Sequence, residues 1–317
     1  YTENIEMNHD RYGSMAQRLP VNGIYFQRMD AKLAMADASY QWIDIDPFGS
    51  PVPFIDSAIQ SLARTGVLEV TATDTAALTG SSLSSQKRRY GAQGIVDDYA
   101  HDDAVRVLLG MIAKTAAMHD RIIKPILSLF DGHHVRVSVL IKTSKEAASN
   151  FQEQLGYRLR TKDVPYKFIK YPSADQIKSA SGPLWIGPLM DKEIAGRLTE
   201  ECAIQTCLPT SDELEELIAK GLAWSDKDVE YATREMIRSV KHISSAADLL
   251  SRQHMLLSLN SMPRLAGTKG APKMDDVISD LIELGYSAAR YPDMEPMFVT
   301  DASFDDVISI FRKYHYD

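Results

Sequence analysis

Asp46, Pro47 and Phe48 stand side by side, and Gly49 follows at once. A carboxylate, a proline that directs a backbone carbonyl, and an aromatic face within four residues can hold a planar base that carries an exocyclic amine. Such an amine is a poor nucleophile, because its lone pair is delocalised into the ring. Hydrogen bonds from its N–H groups to a carboxylate and a carbonyl favour a more tetrahedral nitrogen, and the lone pair is then free to attack a methyl sulfonium in line. The ring of Phe48 can stack on the base, a contact worth ~1–3 kcal/mol. The plainer use of the same residues is a strand-to-helix turn.

These residues must be positioned by a strand and a helix. Tyr40 to Asp46 reads as a strand, although Asp44 and Asp46 interrupt its apolar residues. From Pro53 to Ala63, the residues Phe54, Ile55, Ala58, Ile59 and Leu62 give one apolar helix side, and Pro51 and Pro53 suit its beginning. The spacing also predicts helices over 4–18, 31–37 and 101–118, and strands over 23–30 and 66–74. Asp131-Gly132 sits between two β runs and signals a hairpin. Alternating strands and helices imply a mostly parallel sheet with crossover helices, closed by that hairpin. In such sheets ligands bind beyond the C-terminal strand ends. Asp30, Asp46 and Asp74 each fall at such an end. Taken singly, each aspartate reads first as a turn former or helix N-cap.

Residues 79–98 are rich in Ser, Gly and charge and read as a long loop, which is uncommon unless functional. The second half reads as a Gly/Pro-punctuated loop around Trp185, then helices over 190–203, 211–221 and 227–243, then helix, strand, strand, helix. Trp185 is expected to be a packing anchor between domains. His133-His134 beside a turn is expected to be structural. The acids of His101-Asp102-Asp103 suit a helix start.

The 317 residues suffice for two domains, and the formal net charge is −8. The charge is uneven: Arg234, Arg238, Lys241, Arg252, Arg264, Lys269 and Lys273 face only Glu235 and Asp248 within 234–273. Arg234, Arg238 and Lys241 share one helix face, where phosphate contact is expected. Lys87, Arg88 and Arg89 are a second candidate grip on RNA. No run of 18 apolar residues exists, so no membrane-spanning helix is expected. Cys202 and Cys207 are read as buried, reduced thiols of a cytoplasmic protein. Nothing in the sequence fixes an oligomeric state.

The tetrapeptide resembles the Asp/Asn-Pro-Pro-Tyr/Phe motif of amino-methyltransferases. Four blocks in register, DIDPFGSPVPFIDSA, VTATDTAALTG, RVLLGMIAKTAAMHDR and GPLWIGP, resemble the tRNA guanine-N2 dimethyltransferase family. The resemblance implies methylation of N2 of guanosine at position 26 of tRNA, between the D stem and the anticodon stem, with S-adenosyl-L-methionine as cofactor. It implies that Asp46 is the catalytic carboxylate, that Pro47 supplies its carbonyl, and that Phe48 stacks on the guanine. Asp30 and Ala31 match an Asp-Ala pair that contacts the cofactor's adenine, and Asp44 completes the expected cofactor set. The target base would have to leave its stack.

Two departures stand out. The family's glycine loop around the methionine end of the cofactor has no counterpart before Asp30, where the glycines are Gly13 and Gly23. The expected fold is thus a Rossmann-like class I methyltransferase domain, N-terminally incomplete, over 1–145, with a smaller tRNA-binding α/β domain over 146–317. Many relatives also carry a Cys-x-x-Cys zinc element before Gly-Pro-Leu-Trp. Residues 166–185 contain no cysteine, so no metal is expected. The alternatives are an adenine amino-methyltransferase of DNA or RNA, and an RNA-binding fragment without activity.

Overall fold

The computed structural model describes residues 28–208, 210–219, 225–252, 255–292, 294 and 296–314. The helix expected over 4–18 and most of the strand expected over 23–30 lie outside the described residues.

Four strands build the sheet that carries the Asp-Pro-Phe-Gly turn: β1 (Tyr40–Ile45), β2 (Leu62–Ala72), β3 (Arg121–Phe130) and β4 (Val135–Thr143), in the order β1-β2-β4-β3. β1 and β2 are parallel, while β4 is antiparallel to both β2 and β3. Three strands therefore share one direction, and the expected hairpin returns β4 between β2 and β3. The chain enters this sheet through helix α1 (Ala31–Ala36). Helix α2 (Val52–Ser61) crosses from β1 to β2, with Pro51 at its N-cap and Pro53 in its first turn.

Segment 79–98 is not a continuous loop. Helices α3 (Thr75–Leu78) and α4 (Leu83–Tyr90) occupy much of it. The Ser-rich composition hid a buried pair at helical spacing, Gln86 and Tyr90. Gln86 donates from Nε2 to the Leu78 carbonyl at 2.8 Å and so nails α4 to α3. Gly91 ends α4 in the left-handed region, at φ 64°.

Helix α5 (Ala100–Met118) is buried nearly all round, because it lies between two sheets. One side packs on the first sheet, whose inward residues include Leu68, Val70, Val137, Val139 and Ile141. The other side meets a three-stranded sheet, β6-β5-β7, formed after the short helix α6 (Lys145–Ser149) by β5 (Leu155–Arg160), β6 (Tyr166–Ile169) and β7 (Ala180–Trp185). Gly110 permits this approach, since a Cβ there would come within 3.3 Å of the Trp185 nitrogen. The Gly/Pro-punctuated stretch before Trp185 is thus a strand rather than a loop. Glycine and proline depress strand propensity, but pairing with β5 and packing on α5 override it. Trp185 is buried, as expected of an anchor, and donates from Nε1 to the Pro188 carbonyl at 2.8 Å.

The helix expected over 190–203 is two, α8 (Lys192–Ala195) and α9 (Glu200–Cys207), after the short α7 (Ala174–Ile177). Asp191 and Thr199 each cap a new start. Cys202 and Cys207 are free but exposed, not buried, because α9 lies on the surface. Helices α10 (Ser211–Ala219) and α11 (Asp226–Leu250) follow. The C-terminal unit contains β8 (Met255–Ser258), α12 (Met262–Ala266), α13 (Met274–Glu283), β9 (Ala288–Arg290), β10 (Met297–Thr300) and α14 (Phe304–Lys313), with sheet order β8-β10-β9. The expected helix-strand-strand-helix is present, with β8 as an added edge.

A buried ionic junction joins these layers. Asp102 and Asp103 do more than start a helix, for both are fully buried. Arg158 on β5 donates to both oxygens of Asp103 at 2.7 Å and to Asp97 at 2.9 and 3.1 Å. Asp102 accepts from Arg106 at 2.6 Å and from the Tyr291 hydroxyl at 3.4 Å. Each buried carboxylate thus has the partner its desolvation demands. Among the described residues, no helix is long and apolar enough to cross a membrane.

Candidate active site

Asp46 directly follows β1, and Asp74 lies two residues beyond the end of β2, the parallel neighbour. Both stand on the rim where the strands end. Between them the Asp-Pro-Phe-Gly turn is pinned twice. The Gly49 amide donates to Thr73 Oγ1 at 2.6 Å, and the Thr73 amide donates back to the Gly49 carbonyl at 3.0 Å. Gly49 adopts φ 92°, which a side chain would strain. The turn therefore drives Phe48 outward. Its ring is fully exposed, at 106% relative accessibility, although an aromatic of this size ordinarily buries. Asp46 is exposed beside it and makes no hydrogen bond or ion pair among the described residues.

Asp30 is the N-cap of α1, with Oδ1 accepting from the Lys32 amide at 2.8 Å and the Leu33 amide at 3.4 Å. Its second oxygen has no partner among the described residues, and exposed Ala31 and Leu33 adjoin it. That free acceptor oxygen and apolar surface fit an adenine, whose exocyclic amine donates. Asp44 points to the opposite face of β1 from Ile43 and Ile45, and its carboxylate accepts from Arg136 at 2.8 Å. Arg136 also binds Glu69 at 2.5 Å.

Asp74 is not a side-chain cap. Its carboxylate accepts from Tyr90 OH at 2.6 Å and from Arg89 Nη1 at 2.9 Å. Sequence reasoning placed Asp74 on the rim but gave no role to Thr73 and Ser50, which lie within the quoted blocks, and missed Tyr90, which lies outside them. The i, i+4 pair of Gln86 and Tyr90 was the one available signal. Arg89 is thus committed to Asp74, whereas Lys87 and Arg88 are exposed, Arg88 with a 3.4 Å bond to Ser85.

The basic face of α11 is exposed, but each cation has an acidic neighbour. Arg238 pairs with Glu235 at 2.6 Å, Arg234 lies 3.6 Å from the same carboxylate, and Lys241 pairs with Glu200 at 3.0 Å.

The fold is a Rossmann-like α/β sheet with the Asp-Pro-Phe-Gly turn on its rim. Residues 3–252 match the family model described as N2,N2-dimethylguanosine tRNA methyltransferase. The chain belongs to that family. Similar curated proteins are tRNA (guanine(26)-N(2))-dimethyltransferases. The one from Metallosphaera sedula is 36% identical over 216 residues, covering 64% of this chain and 56% of its own. The one from Archaeoglobus fulgidus is 30% identical over 292 residues, covering 89% and 72%. The chain therefore spans little more than half of the first relative. Among solved structures, Trm1 from Pyrococcus horikoshii in complex with S-adenosyl-L-methionine superposes with a TM-score of 0.74 at 26% identity, covering 98% of this chain and 77% of that one.

Proposed function

We propose that this chain transfers methyl groups from S-adenosyl-L-methionine to N2 of guanosine 26 in tRNA. The observation that carries this reading is the pairing of an outward Phe48 with Asp46 on the rim of a methyltransferase sheet. The family match supports guanine over the adenine alternative.

In this reading Phe48 stacks on the flipped guanine. The Asp46 carboxylate accepts one N–H of the exocyclic amine, and the Pro47 carbonyl accepts the other. Both bonds draw the nitrogen toward a tetrahedral shape and hold its lone pair toward the methyl carbon. Bound S-adenosyl-L-methionine would supply an electrophilic methyl group on a sulfonium, a leaving group that would keep the carbon–sulfur electron pair. Asp46 is placed to take the proton that the methylated, positively charged amino group must lose. Asp30, Ala31 and Asp44 are assigned to the cofactor's adenosine side.

We assign residues 1–145 to catalysis and 146–317 to tRNA, with Lys87, Arg88, Arg234, Arg238 and Lys241 as phosphate contacts. Arg89 joins them only by leaving Asp74. The reaction is assigned to the cytoplasm, in keeping with two exposed free thiols.

The test is a tRNA with inosine at position 26, which lacks the N2 amine. It should bind like its guanosine parent and accept no methyl group. Methylation of the inosine tRNA at the guanosine rate would overturn the reading.

A further inference from the structure

The turn that bears Asp46 and Phe48 is held at its far end by a chain of groups that the chemistry above does not use. Ser50 Oγ lies 3.1 Å from Tyr90 OH. Tyr90 OH lies 2.6 Å from Asp74 Oδ1, and Arg89 Nη1 lies 2.9 Å from Asp74 Oδ2. A phenol has one proton, and an ionised carboxylate only accepts. The short bond to Asp74 takes the Tyr90 proton, so Ser50 must donate to Tyr90. Tyr90 is 6% exposed. Burial, and then its bond to Asp74, push its pKa up, so it stays a donor at every working pH.

Phe48 gains no position from packing, since its ring is wholly in solvent. Its place is set by its flanks alone. Ahead of it the chain leaves β1, and behind it come two successive anchors, the Gly49–Thr73 pair and then the Ser50–Tyr90 contact. Tyr90 itself is fixed, because α4 is tied to α3 by buried Gln86.

We propose that Tyr90 is a positioning residue for methyl transfer, fixing the Asp46–Phe48 turn against the end of β2 through Ser50 and Asp74. This rests on the proposed reaction for its consequence, but not for its geometry. The hydroxyl of Tyr90 never meets the base. It limits how far the stacking ring and the carboxylate wander from the attack geometry. A displacement near 1 Å costs about 100-fold in rate.

Tyr90→Phe keeps the ring and removes both bonds. Two quantities are measured on the full chain: hydrogen exchange of the Gly49 amide, and the single-turnover methylation rate at saturating tRNA. Gly49 exchange should quicken about tenfold as the turn opens. The rate should fall tenfold or more, with KM for tRNA within twofold of wild type. Ser50→Ala should repeat both effects and Ser50→Thr, which restores the hydroxyl, should reverse them. The serine pair also decides the matter if Tyr90→Phe does not fold. Wild-type exchange at Gly49 in the variants, or a loss confined to KM, overturns the inference. Should the wild-type chain transfer no methyl at all, the proposed activity fails, while Gly49 exchange still decides the positioning.

Discussion

Gly49 and Thr73 exchange two hydrogen bonds, at 2.6 and 3.0 Å, across the ends of two parallel strands. The pair links the turn after β1 to the residue that directly follows β2. Its result is the outward ring of Phe48, an apolar surface placed in water by backbone rather than by packing.

That ring contributes nothing to the core, so its removal should spare the fold. Phe48→Ala should leave the melting temperature unchanged. It should lower kcat/KM roughly five- to 150-fold, the equivalent of ~1–3 kcal/mol of base stacking. Thermal melts alongside single-turnover assays separate the two effects. A large fall in melting temperature would show that the ring packs somewhere after all.

On α11, Glu235 lies against both Arg234 and Arg238. Removing its charge should strengthen tRNA binding, and reversing the two arginines should weaken it. The plot of log K against log salt should flatten by about 0.9 for each phosphate that the protein no longer neutralises. Binding titrations between low and moderate salt provide the slope. An unchanged slope in the Arg234→Glu, Arg238→Glu double variant excludes this face from the interface.

Arg158 is fully buried between Asp97 and Asp103. Arg158→Met would strand the fully buried carboxylate of Asp103, while Asp97 keeps Arg160 at 2.8 Å. The expected loss is ~3–5 kcal/mol, because a buried charge left alone is far costlier than the pair is favourable. Arg158→Lys should recover only part, since it lacks the planar fork. Urea denaturation monitored by tryptophan fluorescence measures both.

His101 stacks on Phe130 with ring centres 4.2 Å apart, and partial burial lowers its pKa. A depressed folded pKa means that the neutral ring is favoured in the native state. Its contribution is present above the unfolded value of about 6.5 and is lost as pH falls through the folded value. His101→Phe keeps a stacking ring without a titration. Between pH 7 and pH 5 its melting temperature should fall less than that of the wild type. Parallel curves would remove His101 from the pH response.

The most legible part of the site was the part that is contiguous. Asp46, Pro47 and Phe48 adjoin in sequence, and their turn is written by Pro47, Gly49 and Pro51. The strand, the crossover helix and the Asp131-Gly132 hairpin were equally local. Tyr90 was not legible, because its partners Asp74 and Ser50 lie 16 and 40 residues away. Its helix was concealed in a Ser-rich stretch whose order comes from the burial of Gln86. Arg158 reaches Asp103 across 55 residues, so the acids at the start of α5 looked like ordinary helix-start charges. β7 was obscured by Gly182 and Pro183, which only pairing with β5 makes tolerable in a strand. Tertiary context decided each of these, and no local pattern encodes it.

The central claim is tested by incubating the full chain with labelled S-adenosylmethionine and a tRNA bearing guanosine at position 26, then digesting the product to nucleosides for mass spectrometry. The account predicts N2-methylated guanosine from position 26 with the wild-type chain. It predicts less than a tenth of that rate with Asp46→Ala, whose tRNA affinity is unchanged. Label on any other nucleotide, or a fully active Asp46→Ala chain, would contradict it.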